Sequence, residues 1–222
     1  MGFLSVLSFA HKLAAERLKP GGIAIDATAG TGADTLFLAR TAGNRGRVFA
    51  FDIQEEALAL TRQRLAKEDM LAEVTLFHGS HDRMKSLIPA SYQGKASVVM
   101  FNLGYLPSET SDKTVITSPD STIPALEAAL EMLAPGGVIT IVLYPGHDGG
   151  SLEAAAVEAW ASSLPQRSAQ AVMYRGIQRP DAPYLIALER KKDVMIGGGV
   201  YRRSLTVDKC THGFTTTLAK GS

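Results

Sequence analysis

The sequence predicts an α/β fold, a mostly parallel sheet with helices on both faces. Three observations carry that prediction. Apolar runs of strand length alternate with stretches of helical period along most of the 222 residues. The first such run, Ile23-Ala-Ile-Asp26, passes through Gly30 and Gly32 straight into a helical pattern, which is the strand, tight turn and helix of a nucleoside-binding unit. The second, Val48-Phe-Ala-Phe-Asp52, ends in a carboxylate at the distance from Gly32 where an acid on the second strand reaches ribose hydroxyls.

The elements follow in order. Apolar residues at helical spacing over 3 to 18 predict a covering helix, which Lys19-Pro20-Gly21-Gly22 stops. This run is short and leads into His11-Lys-Leu-Ala-Ala-Glu-Arg-Leu18 rather than a cleavage site, so it reads as part of the domain and not as a signal peptide. The first strand is expected over 22 to 27 and its helix over 33 to 42; Gly43-Asn-Arg-Gly46 then turns into the second strand. Leu58, Leu65 and several alanines mark a helix from 54 to 68, and Val74 to Phe77 mark the third strand, expected over 73 to 77. A short helix near 83 to 88 ends at Pro89. Residues 96 to 101 are apolar apart from Ser97, as suits a central parallel strand. A helix over 121 to 133 is stopped by Ala134-Pro-Gly-Gly137, and the fifth strand runs from 138 to 143. The next helix, 151 to 164, has Ser151 as its expected N-cap. Residues 169 to 175 and 184 to 189 form a closing pair of strands around a turn-rich stretch from Gly176 to Pro183. The apolar pattern fails after Glu189, so residues 1 to 190 read as one domain and 191 to 222 as a tail of uncertain order.

Composition narrows the function classes. With 45% hydrophobic and 20% charged residues, the chain is long enough for one well-buried domain. A net charge of +1 gives no global field toward nucleic acid or membrane, so any RNA contact needs a local patch. Cys210 is the single cysteine, which excludes an internal disulfide and fits a reducing cytoplasm. Neither CxxC nor HExxH occurs, so no metal is expected, and no run is long enough to span a bilayer.

In such sheets ligands bind at the carboxyl ends of the strands. That rule gathers Asp26 to Asp34, Asp52 to Gln54, Ser80 and His81, Asn102 to Pro107, and Tyr144 to His147 at one site. A dinucleotide site wants a third glycine where Thr35 stands. Asp34 beside the turn suits a ligand bearing an ammonium or sulfonium better than a pyrophosphate, which favours S-adenosylmethionine (SAM) over NAD. Asp26, Gly30, Gly32 and Asp34 are then expected at the methionine end, with Thr28 and Thr31 in the same loop. Asp52 is expected on the ribose, and Gln54, Ser80 and His81 at the adenine end. Asn102 either closes its strand as a turn residue or, opposite the cofactor loop, accepts hydrogen bonds from an amine acceptor; Tyr105 could stack on a planar ring. His147 either takes up the proton the amine loses, contacts a phosphate, or stands in water. His11 and His78 read as ordinary surface or packing residues.

The segments Asp26-Ala-Thr-Ala-Gly-Thr-Gly-Ala-Asp-Thr35, Phe51-Asp-Ile-Gln54, Phe101-Asn-Leu-Gly-Tyr-Leu-Pro107 and Tyr144-Pro-Gly-His147 resemble a family of small class I methyltransferases long labelled putative rRNA methylase. That family includes the enzyme that methylates 5-aminomethyl-(2-thio)uridine at the tRNA wobble position. The resemblance covers about residues 8 to 190. It implies a Rossmann-like, seven-stranded sheet, SAM as cofactor, and a tRNA anticodon arm as partner. The implied reaction is methyl transfer to the exocyclic amine, with Asn102, Tyr105 and His147 around the acceptor. The chain departs from the family at Thr31 and Ala33, where the family usually has Asn and His. In the later loop only Gln178 and Pro183 match. A small domain with little basic surface would gain from a homodimer in holding an anticodon arm. Rival readings are a SAM-dependent methyltransferase acting on rRNA or a small molecule, a non-catalytic SAM sensor, and, more weakly, a nicotinamide dehydrogenase.

Overall fold

The computed structural model describes residues 2–104, 117–146 and 149–192. Seven strands alternate with helices along the chain: β1 (Ile23–Asp26), β2 (Arg47–Asp52), β3 (Val74–His78), β4 (Ala96–Asn102), β5 (Leu133–Leu143), β6 (Ala169–Tyr174) and β7 (Tyr184–Arg190). The helices are α1 (Val6–Arg17), α2 (Ala33–Ala42), α3 (Glu55–Lys67), α4 (Met84–Leu87), α5 (Pro119–Met132) and α6 (Gly150–Ser163).

The strands form one sheet in the order β3-β2-β1-β4-β5-β7-β6. β1 pairs in parallel with both β2 and β4, so the chain reverses its direction of travel across the sheet between β1 and β4, and a crevice opens at the carboxyl ends of these two strands. β7 lies antiparallel between β5 and β6, as a short return from the β6 edge allows.

Alternation along the strands divides the core into two layers. Ile25, Phe51, Val99, Phe101, Ile139 and Ile141 face one layer with Met84 of α4, Leu126 of α5 and Val157 of α6. Their neighbours Ala24, Val48, Val98, Met100 and Val142 face the other with Ala14 of α1, Leu38 of α2 and Leu65 of α3. The side chains of the central strands are therefore mostly apolar for a packing reason, whichever face they take, with Asp26, Ser97, Asn102 and Thr140 the polar ones in β1, β4 and β5. β6 is an edge strand and reads differently: Gln170 to Met173 are exposed.

Three boundaries differ from expectation. β5 starts at Leu133, not near 138: Ala96 pairs with Leu133 and Val98 with Val138, so residues 134–137 are an excursion within the strand, with Gly136 at φ 82°. The Pro-Gly pair reads as a helix stop because it is one, but pairing to β4 has already begun. α5 starts earlier than expected, with Pro119 in its first turn, where proline's missing N–H costs nothing. α6 is capped by Gly149 in a left-handed conformation rather than by Ser151, which lies inside the helix. The tail expected after residue 190 lies outside the described residues from 193 onward.

Candidate active site at the carboxyl edge of the sheet

Beyond the ends of β1 to β5 lies a cavity of about 470 Å³, within the range of small-molecule sites. Its floor is the loop after β1. The Ala27 amide donates to the Met100 carbonyl at 2.8 Å and the Ala29 amide to the Phe51 carbonyl at 2.9 Å, which fastens the loop to the strands on either side. Gly30 and Gly32 take φ of 52° and 78°, values that side chains rarely adopt, and so turn the chain into α2. The N-terminus of α2 has no side-chain cap, and Ala33 and Asp34 of its first turn line the cavity. Free amides there suit a carboxylate.

Asp26 was expected to touch the cofactor, but it lies beneath the loop, fully buried and outside the cavity wall. Its Oδ1 accepts from the Thr28 amide at 3.1 Å and its Oδ2 from the Thr35 hydroxyl at 2.6 Å. Burial, and then the charge of Asp34, push its carboxyl up to about 7. Gly32 is also absent from the cavity wall; it packs against α3, where a Cβ would stand 2.8 Å from Thr61 Cα. Both residues shape the loop rather than face the cavity.

The other expected residues of this half are brought together. Thr28, Gly30, Thr31, Asp34, Asp52 and Gln54 all line the cavity. Asp52 Oδ2 accepts from the Gly30 amide and Oδ1 from the Gln54 amide, each at 2.9 Å. Each oxygen keeps a second lone pair, so both can still accept from vicinal hydroxyls. Burial raises the Asp52 pKa, and these backbone bonds oppose the rise.

Ser80 and His81 line the cavity beyond β3. His81 Nδ1 lies 3.2 Å from the Ala27 carbonyl, which assigns the proton to Nδ1. Burial lowers its pKa, so the ring is neutral and Nε2, which has no partner among the described residues, is an acceptor. With Phe51, Ile53 and Leu103 on the cavity wall, this region suits a flat heteroaromatic base, while His81 Nε2 itself is buried.

At the opposite end, the Asn102 backbone amide donates to the Thr28 hydroxyl at 2.8 Å, and Asn102 and Tyr144, just after β5, share the cavity wall. Burial raises the Tyr144 pKa and keeps the phenol neutral. Tyr105 and His147 lie outside the described residues.

The structure adds residues that sequence reasoning did not select. Tyr144 is gathered at the site by the strand rule but given no role of its own there, and the structure places it on the cavity wall. Thr117, Ser121, Asp181 and Pro183 also line the cavity. Thr117 is placed by Glu153, a buried carboxylate on α6 that accepts from the Thr117 and Thr122 hydroxyls at 2.7 Å each. Gly146 allows the loop after β5 to approach the loop before β7, since a Cβ there would stand 3.0 Å from the Asp181 carbonyl. His11, expected as a bystander, reaches Asp34 from α1.

Comparison with known proteins agrees with this geometry. The profile of the family described as putative rRNA methylase matches residues 48–189. The chain is 36% identical over 192 residues to the tRNA (mnm(5)s(2)U34)-methyltransferase, chloroplastic, of Arabidopsis thaliana, covering 83% of this chain and 69% of that one. A putative rRNA-methylase structure from Clostridium thermocellum superposes with a TM-score of 0.81 at 36% identity, covering 86% of this chain and all of that one (100%). A putative methyltransferase from Streptococcus mutans, solved in complex with SAH, superposes with a TM-score of 0.75 at 32% identity, covering 85% and 99% of the two chains. An uncapped helix N-terminus for a carboxylate, Asp34 for an ammonium, Asp52 for a ribose and the His81 region for a base together fit the parts of SAM. The chain belongs to the putative rRNA methylase family and is a class I methyltransferase that uses S-adenosyl-L-methionine.

Proposed function

We propose that the protein methylates the exocyclic primary amine of 5-aminomethyl-(2-thio)uridine at the wobble position of tRNA, in the cytoplasm. The observation that carries this reading is the 36% identity with the Arabidopsis wobble-uridine methyltransferase across 83% of the chain. The chemistry at Asn102 supports it. SAM supplies an electrophilic methyl group on a sulfonium. The amine must arrive neutral, with its lone pair aimed at that carbon, so orientation by acceptors matters more than a strong base. Asn102, Gly104 and Tyr144 line the cavity wall together, and the Asn102 carbonyl and the Gly104 backbone beside it offer acceptors to an N–H. Asp34 lies on the same wall and favours a ligand that carries positive charge.

Transfer of labelled methyl from SAM to tRNA bearing 5-aminomethyl uridine tests the reading. Label in tRNA that is lost when the tRNA is digested beforehand is the expected result. Label that persists after nuclease treatment favours a small-molecule acceptor, for which the +1 net charge is the supporting observation.

A further inference from the structure

The glycine loop does not by itself explain how Asp34 is held. Ala10 and Ala14 of α1 are fully buried, and side chains this small let the helix lie close to the sheet. Between them, His11 reaches α2. Its ring stacks on Phe37 with centroids 4.1 Å apart and planes 5° from parallel, and its Nε2 lies 2.6 Å from Asp34 Oδ1. Asp34 and Phe37 are one turn apart on α2, so the imidazole is fixed at two points of one helix face. Asp34 is 8% exposed and lines the cavity. Two further carboxylates, Asp26 and Asp52, belong to the same loop region, and the field of Asp34 acts on Asp26. A carboxylate in that company swings readily toward solvent unless something holds it.

We propose that His11 is a positioning residue of the cofactor site: by engaging Oδ1 of Asp34 from α1, it fixes that carboxylate with its second oxygen toward the ammonium of the SAM methionine moiety. α1 is thereby part of the binding site and more than a cover for the sheet. Asp34 shares the cavity wall with Asn102 and Tyr144, so the residue His11 engages lies in the same cavity as the acceptor end. The proposal rests on the cofactor assignment and is independent of which acceptor is methylated.

The alternative role for His11 is a staple between α1 and α2 with no bearing on ligand. Calorimetry on the full chain separates the two roles by comparing SAM with 5′-methylthioadenosine, which keeps the adenosine and sulfur but has no amino acid. His11→Ala is expected to weaken SAM about tenfold and to change methylthioadenosine by less than about twofold. Asp34→Asn should show the same selectivity, and adding His11→Ala to it should cost less than about a further twofold, because both act through one contact. His11→Gln, whose amide can donate to Oδ1, should recover part of the loss. Equal losses for both ligands, unchanged SAM affinity in a folded His11→Ala variant, or additive effects in the double variant overturn the proposal. A parent protein that binds methylthioadenosine but not SAM contradicts the cofactor assignment itself.

Discussion

Replacing Gly32 with alanine tests how the cofactor loop is built. Gly32 has φ 78° and ψ 14°, the left-handed region, which costs a residue with a Cβ about 1–2 kcal/mol. The added methyl would also stand 2.8 Å from Thr61 Cα and 2.9 Å from Thr61 Oγ1. The first is backbone of α3 and cannot rotate away, and overpacking of this kind costs about 1–3 kcal/mol. Together they predict a loss of about 2–5 kcal/mol. Gly43 is a control for space alone: nothing lies within 4 Å of its would-be Cβ, but its φ 65° and ψ −179° fall in a region essentially restricted to glycine, so Gly43→Ala should cost a conformational part only, about 1–3 kcal/mol. Urea denaturation of both variants, with slopes compared, measures the difference. The Thr61 hydroxyl also donates to the Gly30 carbonyl at 3.2 Å, so displacing α3 drags the loop, and SAM affinity should fall in Gly32→Ala but not in Gly43→Ala. Unchanged SAM affinity in a folded Gly32→Ala variant would refute the reasoning.

Three further predictions concern the site. Asp52→Ala should weaken SAM by about ten- to a hundredfold in calorimetry, since charge-assisted bonds contribute about 1.5–3 kcal/mol; it should also lower thermal stability, because the Gly30 and Gln54 amides lose their acceptor. The Asp26 carboxyl titrates near 7 when folded against 3.8 ordinarily, so the folded chain holds a proton the unfolded chain has released between those values. Its contribution is fully present below the lower value and is lost as pH rises through the upper one, so denaturation midpoints should fall over that window, and Asp26→Asn should flatten the fall. Asn102→Ala should reduce turnover about a hundredfold with a nearly constant SAM dissociation constant, because misplacing the amine by about an ångström has that effect on rate. Full turnover in this variant would make Asn102 a strand cap only.

Much of this was readable because the physics is local. A glycine turn after an apolar run, and an acid at the end of the next, are short-range signals, and the structure joins them through the Gly30–Asp52 bond. The alternating strands and helices and the closing pair of strands followed from strand lengths and turn residues, whereas the antiparallel place of β7 between β5 and β6 is set by the structure. What escaped was set by packing between distant elements. Nothing within a few residues of His11 says that α1 will bring it 2.6 Å from Asp34. Asp26 sits on the same short loop as the ligand-facing residues, and only its burial beneath Thr28 and Thr35 shows that it braces the turn from below. Glu153 reads as one acid on a helix; its two threonine partners, 36 and 31 residues away, make it a tie at the cavity mouth. The start of β5 was missed because a proline and two glycines outweigh pairing when only the local sequence is read.

The central claim is the acceptor. Mass spectrometry of tRNA nucleosides from cells lacking this protein, with and without its return, measures it directly. The account predicts that 5-aminomethyl-(2-thio)uridine accumulates at the expense of its methylated form in the deficient cells, that the parent protein restores the methylated nucleoside, and that the Asn102→Ala variant does not. Unchanged levels of both nucleosides in the deficient cells would contradict it.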